Sequence, residues 1–69
     1  MEIDVMQLLY NDILPQMAKA GFADTHKNRH AYLIYVRASY LDKNPERDGD
    51  YIVSALTEEI IRIENKLPI

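Results

Sequence analysis

The fold is decided by residues 31–41, AYLIYVRASYL, near the middle of a chain of 69 residues. Residues 31–36 are apolar without interruption, and several of them, such as Tyr32 and Ile34, also favour β-strands. The apolar pattern continues to Leu41 with no turn residue, which favours a helix over a strand. A single strand here would also have no obvious partner strand elsewhere in the chain. The segment therefore predicts the centre of an α-helix.

Capping and turn residues on both sides bound this middle helix. Asp24 or Thr25 can form its N-cap, because a short oxygen-bearing side chain accepts hydrogen bonds from the first free amides of a helix. Residues 42–50 contain asparagine, proline and glycine in a dense cluster of turn formers. The middle helix is therefore expected to end near Leu41 and to be followed by a loop.

A first helix is predicted from about Glu2 to Ala20, with Gly21 as its C-terminal cap. Its apolar stripe recurs every three or four residues and comprises Ile3, Met6, Tyr10, Ile13 and Met17. Pro15 interrupts this helix, because a proline cannot donate a backbone hydrogen bond and crowds the preceding turn. The helix is therefore expected to be kinked or split at Pro15, and the continuing stripe favours a kink.

A third helix is predicted to begin after an N-cap at Asp48 or Asp50 and to extend to about Lys66, before Pro68. Its apolar stripe consists of Ile52, Leu56, Ile60, Ile63 and Leu67. The three segments predict an all-α fold, a small three-helix bundle that forms a single domain over residues 1–69, with the middle helix at its centre. A chain this short cannot cover an apolar middle helix on all sides, so we also expect the bundle to be completed by dimerisation, or this surface to be covered by a partner.

Composition excludes several classes of protein. The sequence has no cysteine, so disulfides, thiolate metal sites and cysteine nucleophiles are absent. Its first residues are acidic, unlike the basic start of a secretory signal, and no apolar run is long enough to span a bilayer. These features predict a cytoplasmic protein that does not bind membranes.

No residue pattern favours catalysis or a bound metal. His26 and His30 lie one helical turn apart, but no third ligand lies at a useful spacing, so they are interpreted as solvated polar residues. Glu58, Glu59 and Glu64 are interpreted as a solvated charged face in which glutamates can pair with Arg62. No glycine-rich phosphate loop is present. We therefore expect no enzymatic activity, no cofactor and no metal site.

The middle helix carries the features that bear on function. Residues 25–47 have a net charge of +3, whereas residues 1–24 and 48–69 each have −3, for a total of −3. The leading hypothesis is a protein–protein interaction module, a regulator, adaptor or inhibitor that covers a surface of a protein partner. Its candidate contact residues are Arg29, Tyr32, Tyr35, Arg37 and Tyr40.

The alternative hypothesis is a transcriptional regulator that binds nucleic acid, because aromatic residues interleaved with basic ones can stack on bases and contact phosphates. Its candidate residues are Lys27, Arg29, His30 and Arg37. The overall acidity of the chain disfavours this alternative, because phosphate contacts dominate the affinity of such proteins.

Overall fold

The computed structural model describes residues 4–67, which form three α-helices and no strand. Helix α1 spans Val5–Lys19, α2 spans His26–Lys43 and α3 spans Tyr51–Glu64. A short 3₁₀ turn, Pro45–Arg47, lies between α2 and α3. The predicted all-α bundle of three helices is confirmed, and residues 31–41 are helical throughout.

Side-chain caps explain where the three helices begin. The Asp4 carboxylate accepts a hydrogen bond from the Met6 amide at 3.0 Å and caps α1, which begins at Val5. The predicted start near Glu2 lies outside the described residues. Thr25 caps α2 and Asp50 caps α3, and the side chain of each accepts a hydrogen bond from a backbone amide in the first turn of its helix. Each of these side chains satisfies an amide that has no partner within its own helix.

The ends of α1 and α2 follow from backbone conformation. Gly21 has φ +87°, and the amides of Gly21 and Phe22 donate to the carbonyls of Ala18 and Met17, which closes α1 with a Schellman motif. Helix α2 continues two residues beyond the predicted Leu41 and stops before Pro45, because a residue that precedes proline disfavours helical geometry.

Helix α1 is continuous through Pro15, so the less favoured alternative, a helix split at this residue, is wrong. The carbonyl of Asn11 has no amide donor at position 15, and Pro15 is exposed, where water can reach the helix backbone. The kink stays a prediction.

Helix α3, and not the middle helix α2, occupies the central position of the bundle. It packs against both α1 and α2, and five of its residues are buried, whereas Leu33 is the one buried residue of α2. The buried hydrophobic residues of the core are Ile13, Met17, Leu33, Val53, Leu56, Ile60 and Ile63. The prediction of a central middle helix is therefore wrong, because the long apolar run of α2 extends onto its outer side while the apolar stripe of α3 lies between two neighbours.

None of the helices described between residues 4 and 67 has both the length and the apolar character needed to cross a bilayer.

Candidate interaction surface

The side of α2 that points away from the bundle is exposed along four turns of the helix. Its residues recur at helical spacing within about 100° of the helix circumference. We call this surface the α2 outer face, and it consists of Lys27, Ala31, Ile34, Tyr35, Ala38 and Asp42. A charged residue stands at each end, and the four residues between them are apolar or aromatic.

Two large side chains dominate the α2 outer face. Ile34 is 45% exposed and Tyr35 is 63% exposed, although Ile34 adjoins the core residue Leu33 in the sequence and Tyr35 lies two positions from it. Because successive helical residues are about 100° apart, one apolar run supplies both the buried and the exposed side of α2. Single exposed apolar residues are common, but a row of them at helical spacing is typical of a contact surface.

An aromatic cluster of Phe22, Tyr32 and Tyr35 borders this face. The ring centroids of Phe22 and Tyr32 are 6.3 Å apart in an edge-to-face arrangement, and those of Tyr32 and Tyr35 are 5.7 Å apart. The Schellman turn at Gly21 presents Phe22 to this cluster. The Tyr32 hydroxyl donates to the side chain of Gln16 on α1 at 3.1 Å, which anchors the cluster to the first helix.

Arg29 is held by residues within the same chain. Its guanidinium donates to both carboxylate oxygens of Asp24, with the Nη2–Oδ2 distance at 2.8 Å, and stands 4.7 Å from the ring centre of Tyr10. The hydrogen bond from Arg29 holds the pKa of Asp24 below its ordinary value. Arg29 therefore links the start of α2 to α1.

Three further polar side chains of α2 contact α3 or its N-cap residue, Asp50. The His30 ring and the Glu64 carboxylate are 3.0 Å apart, and Arg37 donates to the Thr57 hydroxyl at 2.8 Å. The Tyr40 hydroxyl donates to the Asp50 carboxylate at 2.7 Å, and this hydrogen bond raises the pKa of Tyr40. These contacts fix α2 against α3 from its first turns to its last.

The predicted site residues therefore fall into two groups. Tyr35 and Lys27 lie on the α2 outer face, and Tyr32 lies at its border. The others point towards the bundle and make the internal contacts described above, namely Arg29, His30, Arg37 and Tyr40. The candidate contact residues did not include the exposed Ala31, Ile34 and Ala38, although the spacing of these residues placed them on one side of the helix.

Glu59 is buried at 5% exposure, so its assignment to a solvated face is wrong. The Tyr10 hydroxyl donates to its carboxylate at 2.6 Å, and Arg62 donates to both of its oxygens at 2.6 and 2.7 Å. Burial raises the pKa of Glu59, but the hydrogen bonds from Tyr10 and Arg62 outweigh burial and hold this pKa below its ordinary value. The carboxylate thus connects α1 to α3 as an ion.

An open groove lies next to this buried carboxylate. Tyr10, Arg29, Glu58 and Arg62 are among its lining residues. The most buried charged residue of this groove, Glu59, is already paired with Arg62. Burial of Tyr10 and its hydrogen bond to Glu59 raise the pKa of Tyr10 to about 12. Within residues 4–67, no group of three metal-ligating side chains converges on a single point.

Comparisons with protein-family models, with curated proteins and with solved structures found no match to this chain.

Proposed function

We propose that this protein is a small helical protein–protein interaction module, a regulator, adaptor or inhibitor that acts by covering a surface of its partner. The observation that carries the proposal is the α2 outer face, where Ile34 and Tyr35 are exposed between two alanines. Exposed aromatic and aliphatic side chains in one row supply the apolar centre that protein interfaces require.

The internal contacts of α2 support this function by making the surface rigid. Arg29, Arg37 and Tyr40 tie the helix to its neighbours, and Tyr32 holds the aromatic cluster against α1. A surface that is ordered before binding loses less conformational entropy when it meets a partner. We therefore assign contact with the partner to Tyr35 and Tyr32. The other three candidate residues hold α2 in place within the bundle, namely Arg29, Arg37 and Tyr40.

The nucleic-acid alternative has weaker support from the geometry. Of its four candidate residues, Arg29, His30 and Arg37 already contact side chains of this chain, and Lys27 alone belongs to the α2 outer face. Phosphate binding would have to compete with these contacts, since each phosphate is held chiefly by free cationic side chains.

The proposal also covers the location of the protein, its self-association and its chemistry. The protein works in the cytoplasm, self-associates through its surplus apolar surface and has no catalytic, metal or cofactor chemistry of its own.

A matched pair of substitutions tests the contact surface. Ile34→Asp places a charge at the centre of the α2 outer face, whereas Ile61→Asp places one at an exposed apolar residue of α3. Each protein is immobilised, and the macromolecules that it retains are quantified, with circular dichroism as the check of folding. We expect a partner that wild type and Ile61→Asp retain and that Ile34→Asp loses.

Titration with duplex and single-stranded nucleic acid at about 150 mM salt tests the alternative. We expect no binding by wild type or by a variant in which both Arg29 and Arg37 are alanine. A sub-micromolar complex that this double variant abolishes would overturn the proposal in favour of nucleic-acid binding.

A further inference from the structure

We infer that the α2 outer face binds a second copy of this chain, with the two α2 helices antiparallel and related by a two-fold axis that passes between Ile34 and Tyr35. This inference rests on the proposed function, because it names the partner of the same surface. The inference rests on the order in which charged, small and large exposed side chains follow one another along the α2 outer face.

The α2 outer face is complementary to itself when it is reversed. Its six residues form three pairs, Lys27 with Asp42, Ala31 with Ala38, and Ile34 with Tyr35, and all three pairs share one midpoint in the residue numbering. A two-fold axis at this midpoint, perpendicular to both helices, gives the two members of each pair the same height along the helix axis when they belong to different copies. Such an interface is isologous and closes on itself as a dimer.

Charge favours the antiparallel arrangement over a parallel one. Lys27 and Asp42 lie about 22 Å apart along α2, and neither has an ion-pair partner among residues 4–67. In the antiparallel dimer each lysine lies at the level of the other copy's aspartate, so two ion pairs form at the rim. A parallel dimer in register would place lysine against lysine and aspartate against aspartate, and it would also align the two helix dipoles unfavourably.

Side-chain size fits a close approach of the two helices. Ala31 and Ala38 lie at the centre line of the face, where small residues let two helix axes approach to about 8 Å. Ile34 and Tyr35 lie next to the two-fold axis but on opposite sides of this centre line. Because the axis keeps each residue on its own side of the line, Ile34 packs against Ile34 of the other copy and Tyr35 packs against Tyr35 of the other copy. The aromatic cluster extends the apolar contact beyond Tyr35.

Cysteine cross-linking tests the direction of the two helices, because the natural sequence has no cysteine. In the antiparallel dimer, Ala31→Cys combined with Ala38→Cys in one chain places two pairs of thiols opposite each other between copies. Positions 31 and 38 of one helix are about 10.5 Å apart along its axis, too far for a disulfide within the chain. In each single variant of an antiparallel dimer, the thiol of one copy and the thiol of the other are also about 10.5 Å apart along the helix axis, too far for a disulfide between copies.

We therefore expect the double variant to form a covalent dimer on mild oxidation, and Ala31→Cys, Ala38→Cys and an exposed control on α3, Ser54→Cys, to remain uncross-linked. Efficient cross-linking of both single variants would overturn the antiparallel arrangement in favour of a parallel one. Failure of the double variant to cross-link in a protein that sediments as a dimer would overturn the assignment of this face.

Charge reversal tests the rim pairs in solution by sedimentation equilibrium. Lys27→Glu and Asp42→Lys should each weaken self-association about tenfold, because each creates two like-charge contacts, and the double variant should restore it. Equal loss in the single and double variants would overturn the pairing of these residues.

Sedimentation of wild type across a wide concentration series separates this inference from the proposed function. A mass near twice that of the chain, lost in Ile34→Asp, supports both. A monomer at every concentration, with an Ile34-dependent partner of another kind still retained, overturns self-association and leaves standing the proposed binding of a protein partner by the α2 outer face. No effect of Ile34→Asp on mass or on retention overturns both.

Discussion

The Tyr10 hydroxyl on α1 donates a 2.6 Å hydrogen bond to the carboxylate of Glu59 on α3, across 49 positions of sequence. The Glu59 carboxylate is almost fully buried and also accepts two hydrogen bonds from Arg62. A buried charge is tolerated only when its oxygens are paired, so the Tyr10 hydroxyl both links two helices and satisfies this ion.

Removal of that hydroxyl should destabilise the bundle. Tyr10→Phe keeps the ring beneath Arg29 but leaves the buried carboxylate one donor short, which we expect to lower the free energy of unfolding by about 1–3 kcal/mol. Chemical denaturation followed by circular dichroism measures the change. Tyr51→Phe is the control, because Tyr51 is 68% exposed, and equal effects of the two substitutions would contradict the assigned role of Tyr10.

Glu59 should also make the stability of the protein depend on pH. Its pKa in the folded protein is below the ordinary value, so the stabilisation that it provides is complete above the pKa of the unfolded chain, about 4.3, and is lost as pH falls through the folded pKa. The free energy of unfolding should therefore decrease between about pH 6 and about pH 3.

Glu59→Gln should reduce that pH dependence, because the amide does not titrate, and should be less stable than wild type at neutral pH. Glu58→Gln is the matched control, since Glu58 is the exposed neighbour on the same helix. Denaturation midpoints across the pH series compare the three proteins. A slope in Glu59→Gln as steep as that of wild type would mean that other carboxylates account for the acid sensitivity.

Pro15→Ala tests whether the fold requires a kinked α1. Alanine restores an amide that can donate to the Asn11 carbonyl, worth up to about 3 kcal/mol, against about 1 kcal/mol lost because the unfolded chain gains freedom. We expect the fold to remain intact or to become more stable, as measured by thermal unfolding. Asp12→Ala, a substitution at another exposed position of the same helix, is the control. Marked destabilisation in Pro15→Ala alone would indicate that the packing of Ile13 and Met17 depends on a proline-induced bend.

The local features of this fold could be predicted from the sequence because each depends on neighbouring residues. Thr25 and Asp50 were among the predicted caps, since a cap needs one oxygen and the amides a few residues beyond it. Gly21 ends α1 because its φ is positive, a conformation that side-chain-bearing residues rarely adopt. Helical periodicity likewise placed Ile13 and Met17 together on one buried stripe.

The sequence by itself therefore determined the class of the fold, the number of helices and most of their ends. The tertiary structure decided which helix is central and which charges are buried, because these depend on residues far apart in the chain. The sequence of α3 marks Glu59 as a surface residue, and the approach of Tyr10 adds to the Arg62 pair the further donor that makes its burial tolerable. Leu33 and Ile34 are equally apolar neighbours, yet the position of α3 buries the first and leaves the second on the α2 outer face, where a partner can reach it.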